Sequence, residues 1–173
     1  MTTLSHVAVG YLISRYLVVR GILPHEHTTY IMGIVFANLP DIDGALSLKQ
    51  VYNHQNHLQS ISHYPANWLL VLVFFFLLSL PFTDTTLFEF TFLASACILS
   101  HFVLDTFSIY GGIAWLGPWI KKRYSFIRIL PITPNNNHEW VHWYLKHWIK
   151  YLEIALWAVS ILTMLKAKHG IVP

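Results

Sequence analysis

The chain has 173 residues, enough for one domain, with 55% apolar and only 11% charged side chains. A soluble domain carries about 25% charged residues, so the shortfall points to a membrane protein. The formal net charge of +3 suits anionic lipid, and the basic residues form no aromatic-interleaved stripe that would make a case for nucleic acid. Cys97 stands alone, so no intramolecular disulfide is possible.

The first apolar stretch, HVAVGYLISRYLVV (6–19), follows Ser5, a plausible N-cap for a helix that opens at His6. No basic region precedes it, and Arg15 and Arg20 lie within or after it, so it does not read as a cleaved signal. The stretch 29–39 is shorter. As a helix it would extend about 17 Å at 1.5 Å per residue, too little to span.

LPDIDG follows at once and places Asp41 and Asp43 behind Pro40. Proline and an acid in a first turn are ordinary helix-start chemistry. Two carboxylates so close are also half of a metal site. The next segment, NHQNHLQSISHYP, holds His54, His57 and His63 outside any spanning run. Imidazole is the commonest metal ligand, although a His-rich polar loop is the plainer reading.

Residues 64–82 contain no charge and read as a transmembrane helix of the roughly 20-residue length a bilayer requires. Residues 88–110 read as another, with His101 and Asp105 four apart near its end and Gly111 and Gly112 as its stop. Positions i and i+4 share a helix face, so the pair forms either a metal clamp or a simple hydrogen-bonded couple. The loop 111–147 carries Lys121, Lys122, Arg123, Arg128 and Lys146, which places it in the cytoplasm. Its end, NNNHEWVHWYLKHW, reads as an interfacial helix: His147 is structural there, and His138 and His142 are possible additional ligands. Residues 148–165 are the last span.

The expected fold is all-α: one membrane domain over 1–173, with about five helices, one of them short, crossing the bilayer repeatedly. In that topology the N-terminus is inside, and His6, Asp41, Asp43, His54, His57, His63, His101 and Asp105 all reach one membrane face. Arg15 and Arg20 fall on the other face, against the positive-inside trend. Each polar cluster has a bland explanation of its own. A metal site explains them all, and the donors exceed one tetrahedral set, so a dinuclear site is conceivable.

Taken in order, SH (5–6), LPDID (39–43), ISHYP (61–65) and LSHFVLDTF (99–107) resemble the membrane-bound metal-dependent hydrolases. The LexA-regulated inner-membrane proteins of bacteria are among these. The resemblance covers about residues 1–120. It implies His6, Asp41, Asp43, His57, His63, His101 and Asp105 as the polar centre. The third motif departs from the family pattern, lacking its Arg and ending in Tyr-Pro, and this leaves His54 and His57 as alternatives. The His-x-x-x-Asp element is also remotely similar to one in zinc-dependent phospholipases C.

The expected function is a membrane-embedded hydrolase in a bacterial inner membrane, using a divalent ion: zinc, with manganese or iron as alternatives. Asp43 or Asp105 would be its catalytic base, and its substrate a lipid or lipid-linked phosphoester at the cytoplasmic face. The alternative is a metal-binding or metal-transporting membrane protein with the same ligands. A third reading makes the His and Asp residues purely structural.

Overall fold

The structure, a computed structural model, describes residues 2–43, 60–81, 85–108, 112–127 and 144–168. These residues form five α-helices and two 3-10 turns, with no strand among them beyond one isolated bridge between Ile113 and Tyr124. The helices are α1 (Thr3–Val19), α2 (His27–Asn38), α3 (Pro65–Ser79), α4 (Thr86–Asp105) and α5 (Ile149–Lys168). The all-α expectation holds for the described residues.

α1 and α2 form a hairpin whose connection begins with a Schellman closure: Gly21 N–H bonds Val18 O, and Ile22 N–H bonds Leu17 O, both at 2.9 Å. The two helices approach unusually closely. A Cβ placed on Gly10 would lie 2.5 Å from the Gly33 carbonyl oxygen, and one on Gly33 would lie 1.8 Å from Ser14 Oγ. Gly10 with Ser14, and Gly33 with Ala37, are two small-x-x-x-small pairs, the pattern that lets membrane helices meet backbone to backbone. The register has a consequence. One turn before Gly10 on α1 stands His6, and one turn past Ala37 stands Asp41.

α4 packs against α1 and α2 on one side and α3 on the other. Its sequence carries two adjacent stripes of four-residue spacing. Leu93, Cys97, His101 and Asp105 are all buried, and the first two join Leu17 and Ala37 in one core cluster. Ala94, Ile98 and Phe102 form a second cluster with Trp68 and Leu72 of α3. α4 is thus the central helix, and His101 and Asp105 continue its buried face.

Several expected boundaries move. α1 begins at Thr3 with Thr2 as its cap residue, so Ser5 lies inside the helix, buried. α3 has 15 residues rather than 19. Pro65 opens it from an extended Tyr64, and the helix stops at Ser79, just before Leu80-Pro81, where Leu80 keeps helical angles as the cap and Pro81 has no N–H to carry the ladder on. Its length is about 22 Å at 1.5 Å per residue. α4 ends at Asp105, before the glycines. Gly112 instead takes φ +64 beside Tyr124, where an added Cβ would lie 2.0 Å from the Tyr124 oxygen; Gly111 is outside the described residues. Among the described residues α4 alone is both long and apolar enough to cross a bilayer, while α1 and α3 are shorter apolar helices. α5 has the length, but carries Lys150 and Glu153 near its start and Lys166 and Lys168 at its end.

Candidate metal centre

Three elements deliver the site. Asp41 lies in the 3-10 turn Leu39–Asp41, where Pro40 tightens the end of α2. His63 lies in the 3-10 turn Ile61–His63, held by α3 itself: Trp68 Nε1 donates to Ser62 O at 2.7 Å and Asn67 Nδ2 donates to Ile61 O at 2.9 Å. His101 and Asp105 come from the last turns of α4.

The donor atoms of Asp41, His63, His101 and Asp105 all lie within 4.8 Å of one another, and the two imidazoles and Asp105 are buried. His63 Nε2 stands 3.6 Å from Asp41 Oδ1 and 3.4 Å from Asp105 Oδ2. His101 Nε2 stands 3.5 Å and 3.4 Å from the same two oxygens. Charge-assisted N–H···O bonds are shorter, about 2.7–2.9 Å. Ligands about 2.0–2.2 Å from one tetrahedral ion stand roughly 3.3–3.6 Å apart, so these four separations fit a shared cation.

The tautomer of His101 points the same way. Its Nδ1 lies 2.8 Å from the Ala37 carbonyl oxygen, which only accepts, so Nδ1–H is the donor. In the neutral ring Nε2 then carries a lone pair, buried and without a hydrogen bond of good geometry, facing two carboxylates. Two carboxylate charges at this separation repel by about 3 kcal/mol at an effective dielectric of ~20. Asp105 also sits at the C-terminal, negative end of the α4 dipole. A buried lone pair and two acids in one cluster need a positive charge among them. This His/Asp group could hold a metal ion, and two nitrogens with two oxygens suit several divalent ions.

His6 takes a different place from the one expected. Its Nε2 lies 3.2 Å from Asp105 Oδ1, the oxygen turned away from His63 and His101, and its ring stacks on His101 with centroids 3.9 Å apart. It is outside the four-residue group. Asp43 is outside the group as well, although one of its carboxylate oxygens is buried. His54 and His57 lie outside the described residues, as do His138, Glu139 and His142. His147 is structural as expected, its Nδ1 accepting the Ile149 N–H at 3.3 Å.

Two contributors were not singled out in the sequence. Phe102 presents its ring edge-on to both His63 and His101, at 6.4 and 5.6 Å between centroids. Glu153 is buried and accepts from Thr2 N at 3.0 Å, Thr2 Oγ1 at 2.8 Å and Tyr144 Oη at 2.5 Å, tying the start of α1 to α5 one turn from His6. Nothing in apolar periodicity marks a long-range latch of this kind.

Comparison with known families decides the identity, matching residues 1–170 to the YdjM inner membrane proteins. The chain belongs to the YdjM inner membrane protein family. The match agrees with the resemblance to the LexA-regulated inner-membrane proteins, covers nearly the whole sequence and indicates the inner membrane; it carries no likeness to hydrolases. No curated protein and no solved structure matches the chain.

Proposed function

We propose that this YdjM-family protein is a multi-pass membrane metallohydrolase acting on a lipid or lipid-linked phosphoester at the cytoplasmic face. The observation that carries the reading is the set of four donor separations of 3.4–3.6 Å around Asp41, His63, His101 and Asp105. These four residues would hold the ion, zinc in the first instance and manganese or iron as alternatives. When bound, the ion supplies a Lewis acid for a phosphoryl oxygen and lowers the pKa of a water.

The other roles belong to the chain. His6 donates from Nε2 to Asp105 Oδ1 and so fixes the rotation of that carboxylate, leaving Oδ2 toward the group. Ala37 O fixes His101 in turn, the arrangement by which a second partner orients a ligand. Asp43, beside the group rather than in it, is the acid left to act as a base.

A lipid substrate is supported by what adjoins the centre. An apolar groove of about 660 Å³ runs between α3 and α4, lined by Leu69, Leu72, Phe76, Ile98, Phe102 and Trp115 among others. That volume is in the range of ligand sites. The polar atoms nearest it are already engaged, with Trp115 Nε1 on Thr106 Oγ1 and Ser95 Oγ on Thr91 O, so it offers only hydrocarbon and aromatic faces. Phe102 belongs to both groove and centre, which would set a tail in one and its ester at the other. Exposed Leu70, Phe74, Tyr151, Ile154 and Leu162 on α3 and α5 support a multi-pass arrangement, since apolar surface of this extent marks contact with lipid.

The test is metal content by elemental mass spectrometry on detergent-purified protein dialysed against metal-free buffer. Wild type is expected to keep near-stoichiometric metal, and Asp41→Ala and His101→Ala to lose it. A wild type that retains none, even after incubation with each ion, sinks the metalloenzyme. Metal-loaded protein is then offered lipid phosphoesters in micelles beside their water-soluble headgroups. Equal rates on both would remove the lipid from the reading.

A further inference from the structure

About 13 Å along α1 from His6, at ~1.5 Å per residue, stands Arg15. The side chain is mostly covered, the residue being 9% exposed, while its guanidinium nitrogens still reach the surface, and no ion pair, hydrogen bond or cation–π contact engages them among the described residues. The other arginine of this helix, Arg20, is exposed and lies over the Tyr16 ring at 5.2 Å. A cation on a mostly covered side chain, without a counterion, is costly in a membrane protein. The described acids are committed elsewhere. Asp41, Asp43 and Asp105 belong to the opposite end, Glu153 binds Thr2 and Tyr144, Glu89 accepts from Thr85, and Glu26 accepts from Thr28.

A second group, on the neighbouring helix α2, is equally unused. The Tyr30 hydroxyl is buried and makes no hydrogen bond among the described residues. Tyr11 links the two. It is one helical turn before Arg15 and couples to it electrostatically, and its ring lies 5.6 Å from that of Tyr30. The Tyr30 ring is flanked edge-on by His25 at 5.8 Å. The α1–α2 pair therefore supplies both unused donors, with the Tyr11 ring one turn from Arg15 and in contact with that of Tyr30.

We propose that Arg15, Tyr11 and Tyr30 form a binding site for a phosphate-class oxyanion, at the end of the α1–α2 pair opposite the His/Asp centre. A guanidinium offers a planar fork that matches such an anion in two parallel bonds, and the Tyr30 hydroxyl supplies a further donor. Arg15 lies one turn before the end of α1, the depth at which a bilayer presents its headgroup phosphates. The ligand is either that phosphate or the free ion. The site also accounts for an arginine that the positive-inside trend does not place.

Full-length protein in a phosphate-free detergent is treated with chelator, so that the His/Asp centre takes no part. It is then titrated calorimetrically with inorganic phosphate and, separately, with a short-chain phosphatidylglycerol. Wild type is expected to bind, Arg15→Gln to lose about tenfold or more in affinity, and Tyr30→Phe about three- to tenfold. His101→Ala should match wild type. Binding of both probes assigns the site to the phosphate group itself, and binding of the lipid alone assigns it to a headgroup. No binding of either, or equal binding by Arg15→Gln, overturns the proposal. Thermal unfolding guards against a misfolded variant. Without ligand, Arg15→Gln is expected to be at least as stable as wild type, and phosphate should raise the Tm of wild type only. A ligand-free Arg15→Gln that melts well below wild type would mean the protein already satisfies the guanidinium, and would equally overturn the site.

Discussion

The two ends of the α1–α2 pair differ in how they handle charge. At one end three imidazoles and two carboxylates crowd together, and nearly every polar atom has a partner or faces one across 3.2–3.6 Å. At the other, the guanidinium of mostly covered Arg15 has no counterion and the buried Tyr30 hydroxyl makes no hydrogen bond among the described residues. The same small-residue contact, Gly10 against Gly33, sits between them and holds both in register. The first end is short of a cation and the second is short of an anion. On the two proposals above, a ligand of the missing sign would complete each.

The sharpest way to break this contrast is to remove one acid without changing its shape. Asp105→Asn keeps the volume and loses the charge shared by His6, His63 and His101. Metal affinity is expected to fall at least a hundredfold, about 3 kcal/mol, as read by competition with a chromogenic chelator. Unchanged affinity would make the cluster an ordinary hydrogen-bonded couple. Gly33→Leu strikes the shared hinge instead. Its Cβ meets Ser14 Oγ at 1.8 Å and Gly10 O at 2.8 Å, so the helices must separate. Overpacking of this kind costs about 1–3 kcal/mol or more. A lowered Tm accompanied by weakened metal binding is expected. Wild-type stability would show that the close approach is not what holds the two ends.

How much of this was legible in the sequence follows from the kind of signal each feature leaves. The helices were visible because apolar runs are local, and His101 and Asp105 because four-residue spacing on a helix fixes a shared face. That Asp41 and His63 meet them is a matter of topology, and ordered motifs supplied it. The place of His6 was not legible. Sequence shows that an imidazole is near, but not which oxygen of Asp105 it faces. Nor could sequence separate the two acids of LPDID: Asp41 joins the four-residue group, while Asp43 stands outside it with one carboxylate oxygen buried. The ends of α3 and α4 shifted because Pro65 and the Thr106 cap act within a residue or two, below the grain of a hydropathy pattern. The Thr2–Glu153 latch joins residues 151 apart and leaves no periodic trace.

A gentler variant separates the orienting role of His6 from a ligand role. His6→Phe preserves the stack on His101 and removes the Nε2 contact to Asp105. Loss of an outer partner typically costs 10–100-fold in metal affinity. Stoichiometry at saturating metal is expected to stay at the wild-type value. Loss of stoichiometric metal would return His6 to the ligand set.

The smallest effect concerns the latch that brings α5 to the metal-centre end. Burial, and then the hydrogen bond and negative charge of Glu153, push the Tyr144 phenol above its ordinary value of 10.0. A phenol held protonated in the folded state gives no pH dependence below 10, where both states keep the proton. Above it the unfolded chain releases the proton while the folded chain retains it, so stability falls as pH rises. Tyr144→Phe removes that slope and Glu153→Gln reduces it. The measurement is the Tm of each protein across the alkaline range, paired with the ultraviolet difference spectrum between wild type and Tyr144→Phe. A Tyr144 that titrates at its ordinary value, with parallel Tm curves for wild type and Tyr144→Phe, would mean that Glu153 holds Thr2 alone. The tie from α5 to the start of α1 would then rest on two hydrogen bonds rather than on a shared carboxylate.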